Sequence, residues 1–398
     1  MTIISETFSR SVASVAQGEI SRRGPLRVVH LLHTVAHGGV ESLLINWVRS
    51  LDPTRVDVII VCFANADHSE TPFRQAAERA GISVMTIPWS RAKPVMRAAR
   101  EFSKLLADFG ADIVHTHNLY AELVGWIAAR RVGVKIMTTQ YVWSDFGFKR
   151  NVQQWVAARL LRHFDLVTSQ CERTRQDTIR RGIPAQGQTV LVTGIEPVTE
   201  KIDSADRCAI RERYGSSPSN IVLVNAARFY PEKAQVWLLE CFASIVRSRP
   251  HAKLWLMGVG PLEGELRSRV AALGLERHVE FLGFVVNLHR TLLSADIQVH
   301  SSSAEGVPLA ICEGMAVGMP IVSTAVGGIP EILRHEETGL LVASADEAAF
   351  CRETIRLIDS KDLRVKLGRS AKQASETEFS LAAAGAVLTA QYEKLVVR

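Results

Sequence analysis

The chain has 398 residues, of which 47% are hydrophobic and 22% charged, with a formal net charge of +6. That length is more than one core usually organises and suits two domains of about 200 residues, while the balance of apolar and charged residues excludes a disordered or fibrous chain. No run of about 18 apolar residues is present, which argues against a membrane-spanning helix.

Residues 1–24 lack a continuous apolar stretch and read as a flexible tail rather than a secretory signal. The six cysteines (Cys62, Cys171, Cys208, Cys241, Cys312 and Cys351) show no CxxC or Cys/His spacing and read as reduced thiols, which suits a cytoplasmic protein. Residues 1–200 hold 24 Lys and Arg against 18 Asp and Glu, whereas 201–398 hold 23 of each, so the whole excess lies in the first half. A basic half suits an anionic neighbour such as a lipid surface or a phosphorylated acceptor, and equally a merely soluble basic domain.

After the tail, the run LRVVHLLHT at 26–34 has strand length, and Gly38-Gly39 and an amphipathic helix over 41–51 follow it. Strand, glycine pair and helix make a candidate phosphate loop, because glycine lets an anion approach the backbone at a helix N-terminus. Strands at 56–63, 82–87 and 112–116 then alternate with helices at 72–80 and 94–109, an order that predicts parallel βαβ units. The helix over 94–109 carries Arg97, Arg100 and Lys104 on one face, with Arg91 and Lys93 just before it. Such a helix either lies on an anionic bilayer or covers a sheet with its cations in water. In IVHTHN at 113–118, strand alternation sends His115 and His117 to one face. Two histidines could bind metal, but no third ligand follows at useful spacing and no zinc site is expected. The next strand, 135–140, ends at Gln140; Tyr141, Trp143 and Phe146 follow in a loop, where aromatic rings can stack on a sugar or pack beneath the loop. A helix at 151–162, a strand at 165–169, a helix at 173–181 and a strand at 189–192 complete a first domain at 25–196, and the polar stretch 197–206 reads as a linker.

A second domain is expected at 207–378. Its strand at 220–227 leads into RFYPEK, which puts Arg228 at the strand end and Lys233 five residues on, before a helix over 235–246. Two cations flanking a turn can clamp a diphosphate. After a strand at 253–258, Gly258, Gly260 and Gly264 nearly make a dinucleotide fingerprint, but the third glycine is one residue late and no acid follows at the required distance. A strand at 278–282 runs into Gly283-Phe284. A short strand at 295–300 then opens SSSAEGVPLAICEGMAVGMPIVSTAVGGIP at 301–330, read as strand, tight turn and helix with Pro308 in the first helical turn. Glu305 falls in the turn and Glu313 about two turns along the helix. At the carboxyl end of a strand in an open α/β sheet such carboxylates can grip a polyol and a ribose diol, although each alone reads more readily as a solvated turn acid or an ordinary helix glutamate. A strand at 338–342 and helices at 346–358, 361–377 and 381–397 close the chain.

Glu305-Gly-Val-Pro-Leu, Ile-Cys-Glu313-Gly-Met-Ala and Gly-Gly-Ile-Pro at 327–330 together resemble the E-x7-E signature of the family-4 glycosyltransferases, retaining enzymes of the GT-B fold. The resemblance implies an α/β architecture of two Rossmann-like domains facing across a cleft, the first for the acceptor and the second for the donor, with a final helix at 379–398 crossing back to the first. It implies that Glu305, with Gly306, Val307, Pro308 and Leu309, meets the donor sugar, that Glu313 meets the nucleotide ribose, and that Arg228 and Lys233 bind the donor diphosphate. Phe284, in a segment resembling an FLG motif, is expected at the nucleotide base. Gly38 and Gly39 resemble a GGxE loop that meets the donor phosphates, and His117 the second histidine of a DVVHxH segment near the reacting centre. His117 and Glu305 are the expected catalytic residues. Gln140 stands where the family often has a histidine and cannot titrate.

Sugar transfer needs the departing diphosphate stabilised as charge develops on it, by a divalent metal or by fixed cations and a helix N-terminus. No Asp-x-Asp occurs in the chain; beside Arg228 and Lys233 this favours the metal-free means, and no cofactor is expected. The resemblance implies retention of anomeric configuration, the departing phosphate itself receiving the acceptor's proton. The expected function is transfer of a hexosyl unit from a nucleotide-diphosphate sugar to a lipid-linked or oligosaccharide acceptor, such as a polyprenyl-diphosphate-linked sugar or a glycolipid, in surface polysaccharide or glycolipid biosynthesis. Cytoplasmic placement is expected; peripheral contact of the basic first domain with the inner face of the cell membrane is one reading of its charge, and no nucleic acid partner is expected. A non-catalytic nucleotide-sugar-binding subunit and a nucleotide-cofactor oxidoreductase are the alternatives, the latter opposed by the broken glycine pattern.

Overall fold

A computed structural model of the chain describes residues 24–34, 38–143 and 148–397. All of the expected tail but Gly24, and Phe146 of the aromatic loop, lie outside the described residues. The chain divides into two compact units, one formed by Met1–Gly194 with Leu381–Arg398 and the other by Ile195–Ser380.

The first unit is built on β1 (Leu26–Leu32), β2 (Val56–Ala64), β3 (Val84–Pro88), β4 (Ile113–His117), β5 (Lys135–Gln140), β6 (Leu166–Ser169) and β7 (Thr189–Val190). Between them run α1 (Gly39–Ser50), α2 (Thr71–Arg79), α3 (Val95–Phe109), α4 (Leu119–Val132), α5 (Phe148–Leu161) and α6 (Glu172–Arg180). The strands pair in parallel in the order β3-β2-β1-β4-β5-β6-β7. Continuous apolar runs suit a sheet covered on both faces, and Val28, Val29, Leu31 and Leu32 of β1 are fully buried. α3 buries Ala98, Ala99, Phe102 and Leu106, while Arg97, Arg100 and Lys104 face solvent.

The second unit carries β8 (Ile221–Ala226), β9 (Ala252–Met257), β10 (Val279–Gly283), β11 (Ile297–His300), β12 (Ile321–Thr324) and β13 (Leu340–Val342), parallel in the order β10-β9-β8-β11-β12-β13. Its helices are α7 (Ser204–Arg213), α8 (Gln235–Ser248), α9 (Glu263–Ala272), α10 (Leu288–Ser294), α11 (Leu309–Val317), α12 (Ile329–Ile332), α13 (Glu347–Asp359) and α14 (Lys361–Thr377). The polar stretch read as a linker as far as residue 206 is helical from Ser204. The Asp203 carboxylate accepts the Asp206 N–H at 2.7 Å and so caps α7.

The last helix, α15 (Leu381–Val397), packs on α1 within the first unit. Gly385 permits the contact, since a Cβ there would stand 2.0 Å from the Ser50 carbonyl oxygen, and Arg55 pairs with Glu393 at 2.5 Å. Among the described residues no helix is long and apolar enough to cross a membrane.

In each sheet the strand order reverses once, between β1 and β4 and between β8 and β11. Helices leave the two central strands toward opposite faces there, and a crevice opens beyond the carboxyl ends, the usual ligand position in open α/β sheets.

Candidate active site

In the second unit, the segments beyond β8 and β11 meet at that reversal. Chain leaving β8 passes Arg228 and makes a 3₁₀ turn, Pro231–Lys233, before Ala234, whose φ of 51° is a left-handed conformation that a non-glycine residue adopts only under constraint. Chain leaving β11 reaches Ser301, Ser302 and Glu305. The two corners are stitched together: Ser301 Oγ donates to the Lys233 carbonyl at 2.8 Å, and Ser303 N–H to the Glu232 carbonyl at 2.9 Å. Lys233 Nζ then donates to Glu305 Oε1 at 2.5 Å, with Ser302 Oγ donating to the same oxygen at 2.7 Å. Both side chains are largely shielded, at 16% and 8% exposure. The ion pair therefore sits in a low-dielectric crevice and retains donors and lone pairs for a ligand.

Two glycine pairs hold these corners. Gly327 has φ +57°, and a Cβ on it would stand 1.8 Å from the Glu305 carbonyl oxygen, while Gly328 N–H donates to the Gly306 carbonyl at 2.8 Å. Gly258 and Gly260 pack on the other corner, where Cβ atoms would meet the Ala227 and Phe229 carbonyl oxygens at 2.0 and 2.4 Å. The near-fingerprint is thus a place of close backbone approach, which explains its irregular spacing. Arg228 is exposed, its guanidinium 5.0 Å from the Tyr230 ring centroid and without a carboxylate partner among the described residues. Phe284, just beyond β10, is 69% exposed. Val307 and Pro308 are buried where α11 begins, and Gly306 and Leu309 flank them.

Glu313, in the second turn of α11, does not join the Lys233–Glu305 pair. Its Oε2 accepts from His289 Nε2 of α10 at 2.5 Å, and that hydrogen bond raises the imidazole pKa above its ordinary value. His289 carried no sequence signal. Nor did His300, fully enclosed at the end of β11 with neither ring nitrogen partnered among the described residues; burial, with the Lys233 charge adding, lowers it to about 3.

In the first unit, Gly38 caps α1, and the Glu41 carboxylate already accepts its N–H at 3.1 Å, so an anion at this helix end would compete with Glu41. His117 is fully buried rather than facing the crevice. The sequence offered no third histidine beside His115 and His117, but the β1–β4 register supplies one, placing His30 opposite His115. The three rings offer nitrogens within 4.8 Å of one another, as a metal site would require. All six nitrogens are nevertheless engaged. His117 Nδ1 meets Tyr141 Oη at 2.7 Å and its Nε2 meets His30 Nδ1 at 2.9 Å. His30 Nε2 and His115 Nδ1 both meet Tyr392 Oη at 3.0 Å, and His115 Nε2 meets Thr139 Oγ1 at 2.7 Å.

The direction of this chain is fixed from one end. Thr168 Oγ1 donates to the Thr138 carbonyl at 3.0 Å and must accept from Thr139, which must in turn accept from His115. With the imidazoles held neutral by burial, each of them carries its proton on Nε2, and Tyr141 donates to His117. A metal ion could enter only by displacing protons shared along this chain. Tyr392→Phe would leave one N–H and one ring lone pair buried and unpartnered, and is expected to destabilise the protein by about 2–4 kcal/mol, read from urea unfolding midpoints.

Beside the chain, Glu122 of α4 is buried and its Oε1 accepts from Gln140 Nε2 at 2.6 Å and Thr138 Oγ1 at 3.1 Å. A titratable group missed in the sequence therefore sits next to the glutamine that cannot titrate. Burial lifts its carboxyl from 4.5 to about 7, against the lowering effect of those hydrogen bonds. Between those values the native state holds a proton that the unfolded chain has released, so stability falls as pH rises through that interval. Glu122→Gln keeps the shape without the charge. It is expected to gain up to about 3 kcal/mol on wild type at pH 8 and nothing at pH 4, in parallel urea titrations. Of the loop aromatics, Trp143 donates to Thr178 Oγ1 at 2.7 Å and packs against the cluster that holds Leu161 and Ile183.

Residues 38–194 match the family model described as Glycosyl transferase 4-like domain, and residues 206–374 the one described as Glycosyl transferases group 1. The chain is 28% identical over 320 residues to "Putative glycosyltransferase EpsD" of Bacillus subtilis, covering 77% of this chain and 83% of that one. It is 26% identical over 354 residues to a "GDP-mannose-dependent alpha-(1-6)-phosphatidylinositol monomannoside mannosyltransferase" of Mycobacterium tuberculosis, covering 84% and 89%. Among solved structures, Anabaena Alr3699/HepE in complex with UDP-glucose superposes with a TM-score of 0.81 at 21% identity, covering 91% of this chain and 97% of that one. Each unit thus matches a glycosyltransferase model and the fold is that of GT-B enzymes: the chain is a glycosyltransferase of the family-4 type.

Proposed function

We propose that the chain transfers a hexosyl unit from a nucleotide-diphosphate sugar, with retention, to a lipid-linked or oligosaccharide acceptor in surface polysaccharide or glycolipid biosynthesis. The observation that carries this reading is the Lys233–Glu305 pair at the strand-order reversal of the second unit, with Arg228, exposed at the end of β8, free of carboxylates among the described residues. Arg228 and Lys233 hold the donor diphosphate and offset the charge that develops as it departs. Glu305, with the Gly306–Leu309 corner, takes the sugar hydroxyls, Glu313 the ribose diol with His289 holding its carboxylate in place, and the exposed Phe284 the base. Gly38 and Gly39 meet the donor phosphates once the Glu41 carboxylate releases the Gly38 N–H, and His117 acts through the Tyr141 hydroxyl it orients. The departing phosphate takes the acceptor's proton, and no metal or cofactor is required.

The relatives support a nucleotide-sugar donor, one being named for GDP-mannose and one solved with UDP-glucose. The exposed cations of α3 offer an anionic membrane a peripheral contact. A screen of UDP-, GDP- and ADP-sugars by thermal unfolding tests the reading. The true donor at a hundred times its dissociation constant adds about 2.7 kcal/mol, and stabilisation by none of them contradicts the function.

A further inference from the structure

The six cysteines read as reduced thiols in the sequence, and among the described residues no two are joined by a disulfide. Two of them nevertheless meet. Cys241 of α8 and Cys351 of α13 stand 110 residues apart in sequence, and Cys351 Sγ donates to the Cys241 carbonyl at 3.4 Å. The two thiols also share a hydrogen bond. No spacing motif announces the pair, because only the packing of two helices on the core of the second unit brings it together.

Neighbouring contacts hold the two helix faces in register. Trp237, Cys241 and Ser244 recur at helical spacing on α8, as Glu347, Phe350 and Cys351 do on α13. The Trp237 and Phe350 rings meet edge to face with centroids 5.1 Å apart, and Ser244 Oγ donates to Glu347 Oε1 at 3.3 Å. Cys241 is fully buried in the core, whereas Cys351 packs at its edge and is partly exposed. The two thiols are therefore unequal. Its hydrogen bond with Cys241 lowers the Cys351 thiol pKa and the Arg247 charge adds to this, against burial and the Glu347 charge. The same hydrogen bond, and then burial, raises Cys241. Burial lifts Cys62 to about 12 and lifts Cys312 as well. Of these four thiols Cys351 alone is shifted toward the reactive thiolate, and it is the one that a small solute can reach.

We propose that Cys241 and Cys351 are a redox-reactive pair, which a hydroperoxide converts to a disulfide between α8 and α13. The Cys351 thiolate attacks a peroxide oxygen; the S–O bond forms, the O–O bond breaks, and the departing oxygen takes a proton and leaves as water. The Cys241 sulfur then attacks the sulfenic acid; the S–S bond forms, the S–O bond breaks, and the leaving hydroxide takes the Cys241 proton. Two thiols give up two electrons and two protons, and one hydrogen peroxide becomes two waters. Sulfurs in hydrogen-bond contact on adjacent helices approach bonding distance by side-chain rotation and a small adjustment of the helices. The closed loop contains Glu305 and Glu313 and is tied to the helix that follows Lys233. The pair is independent of the transferase reading.

The test exposes the reduced full chain to hydrogen peroxide, quenches with catalase and counts thiols in denaturant. The count is expected to fall from six to four and the intact mass by two hydrogens, with a digest yielding a peptide that joins Cys241 to Cys351. Dithiothreitol is expected to restore all six. Cys351→Ala, at a partly exposed position, is expected to fold and to keep its other five thiols under the same dose. Cys241→Ala is expected to stop at a sulfenic acid on Cys351, trapped by dimedone. Survival of all six thiols in the wild type, a linked peptide between other cysteines, or loss of two thiols from Cys351→Ala overturns the proposal.

Discussion

Replacing Lys233 by methionine is expected to lower sugar transfer about 100- to 1,000-fold while the protein still folds. The ammonium spends one N–H on Glu305 and keeps two for a diphosphate whose negative charge grows as the sugar leaves. Methionine keeps the apolar stem and removes the charge, so the transition state loses a preorganised cation that bulk water cannot replace in a shielded crevice. Glu305 loses its ion partner but keeps the Ser302 hydroxyl, which limits the cost in stability to about 1–3 kcal/mol. Initial rates with the donor identified by thermal screening, together with the unfolding midpoint, separate the two effects. Transfer at the wild-type rate would remove Lys233 from the mechanism.

Gly327→Ala is expected to destabilise the protein by about 3–4 kcal/mol and to depress activity in whatever remains folded. Two penalties combine at this residue. Its φ of +57° is unfavourable for alanine, and the new methyl would fall 1.8 Å from the Glu305 carbonyl oxygen, a backbone atom that cannot rotate away. Relief requires the Glu305 turn to move, which breaks the Gly328–Gly306 hydrogen bond and shifts the carboxylate away from Lys233. Gly264→Ala, in α9 with nothing within 4 Å of the new Cβ, is the contrast: it is expected to be neutral or to stabilise by up to about 1 kcal/mol. Chemical denaturation of the two variants compares them directly. Equal midpoints would show that the Gly-Gly turn does not hold the corner.

The strand–turn–helix organisation and the two-domain α/β architecture were legible in the sequence because both rest on local signals. Apolar runs of strand length, glycines at turns and helical periodicity after Pro308 are patterns within a few residues. The side-chain partnerships were not legible. His30 and His117 are 87 residues apart in sequence, and Tyr392 lies 277 beyond His115; only the parallel β1–β4 register and the returning last helix bring them together. For the same reason His117 reads as a ligand-facing histidine in isolation and proves to be the inner partner of Tyr141. His289 reaches Glu313 from a short helix without a motif, and Glu122 looks like an ordinary acid in the first turn of α4 until β5 covers it. Gly258 and Gly260 came close to a dinucleotide fingerprint because the same lack of a side chain serves close backbone packing.

The most direct measurement is a crystal structure with the nucleotide sugar bound. The account predicts diphosphate oxygens within hydrogen-bonding reach of Arg228 and Lys233, the ribose hydroxyls on Glu313 and the transferred sugar on Glu305. A nucleotide seated away from the corners that follow β8 and β11, or any of those four side chains turned from it, would contradict the account.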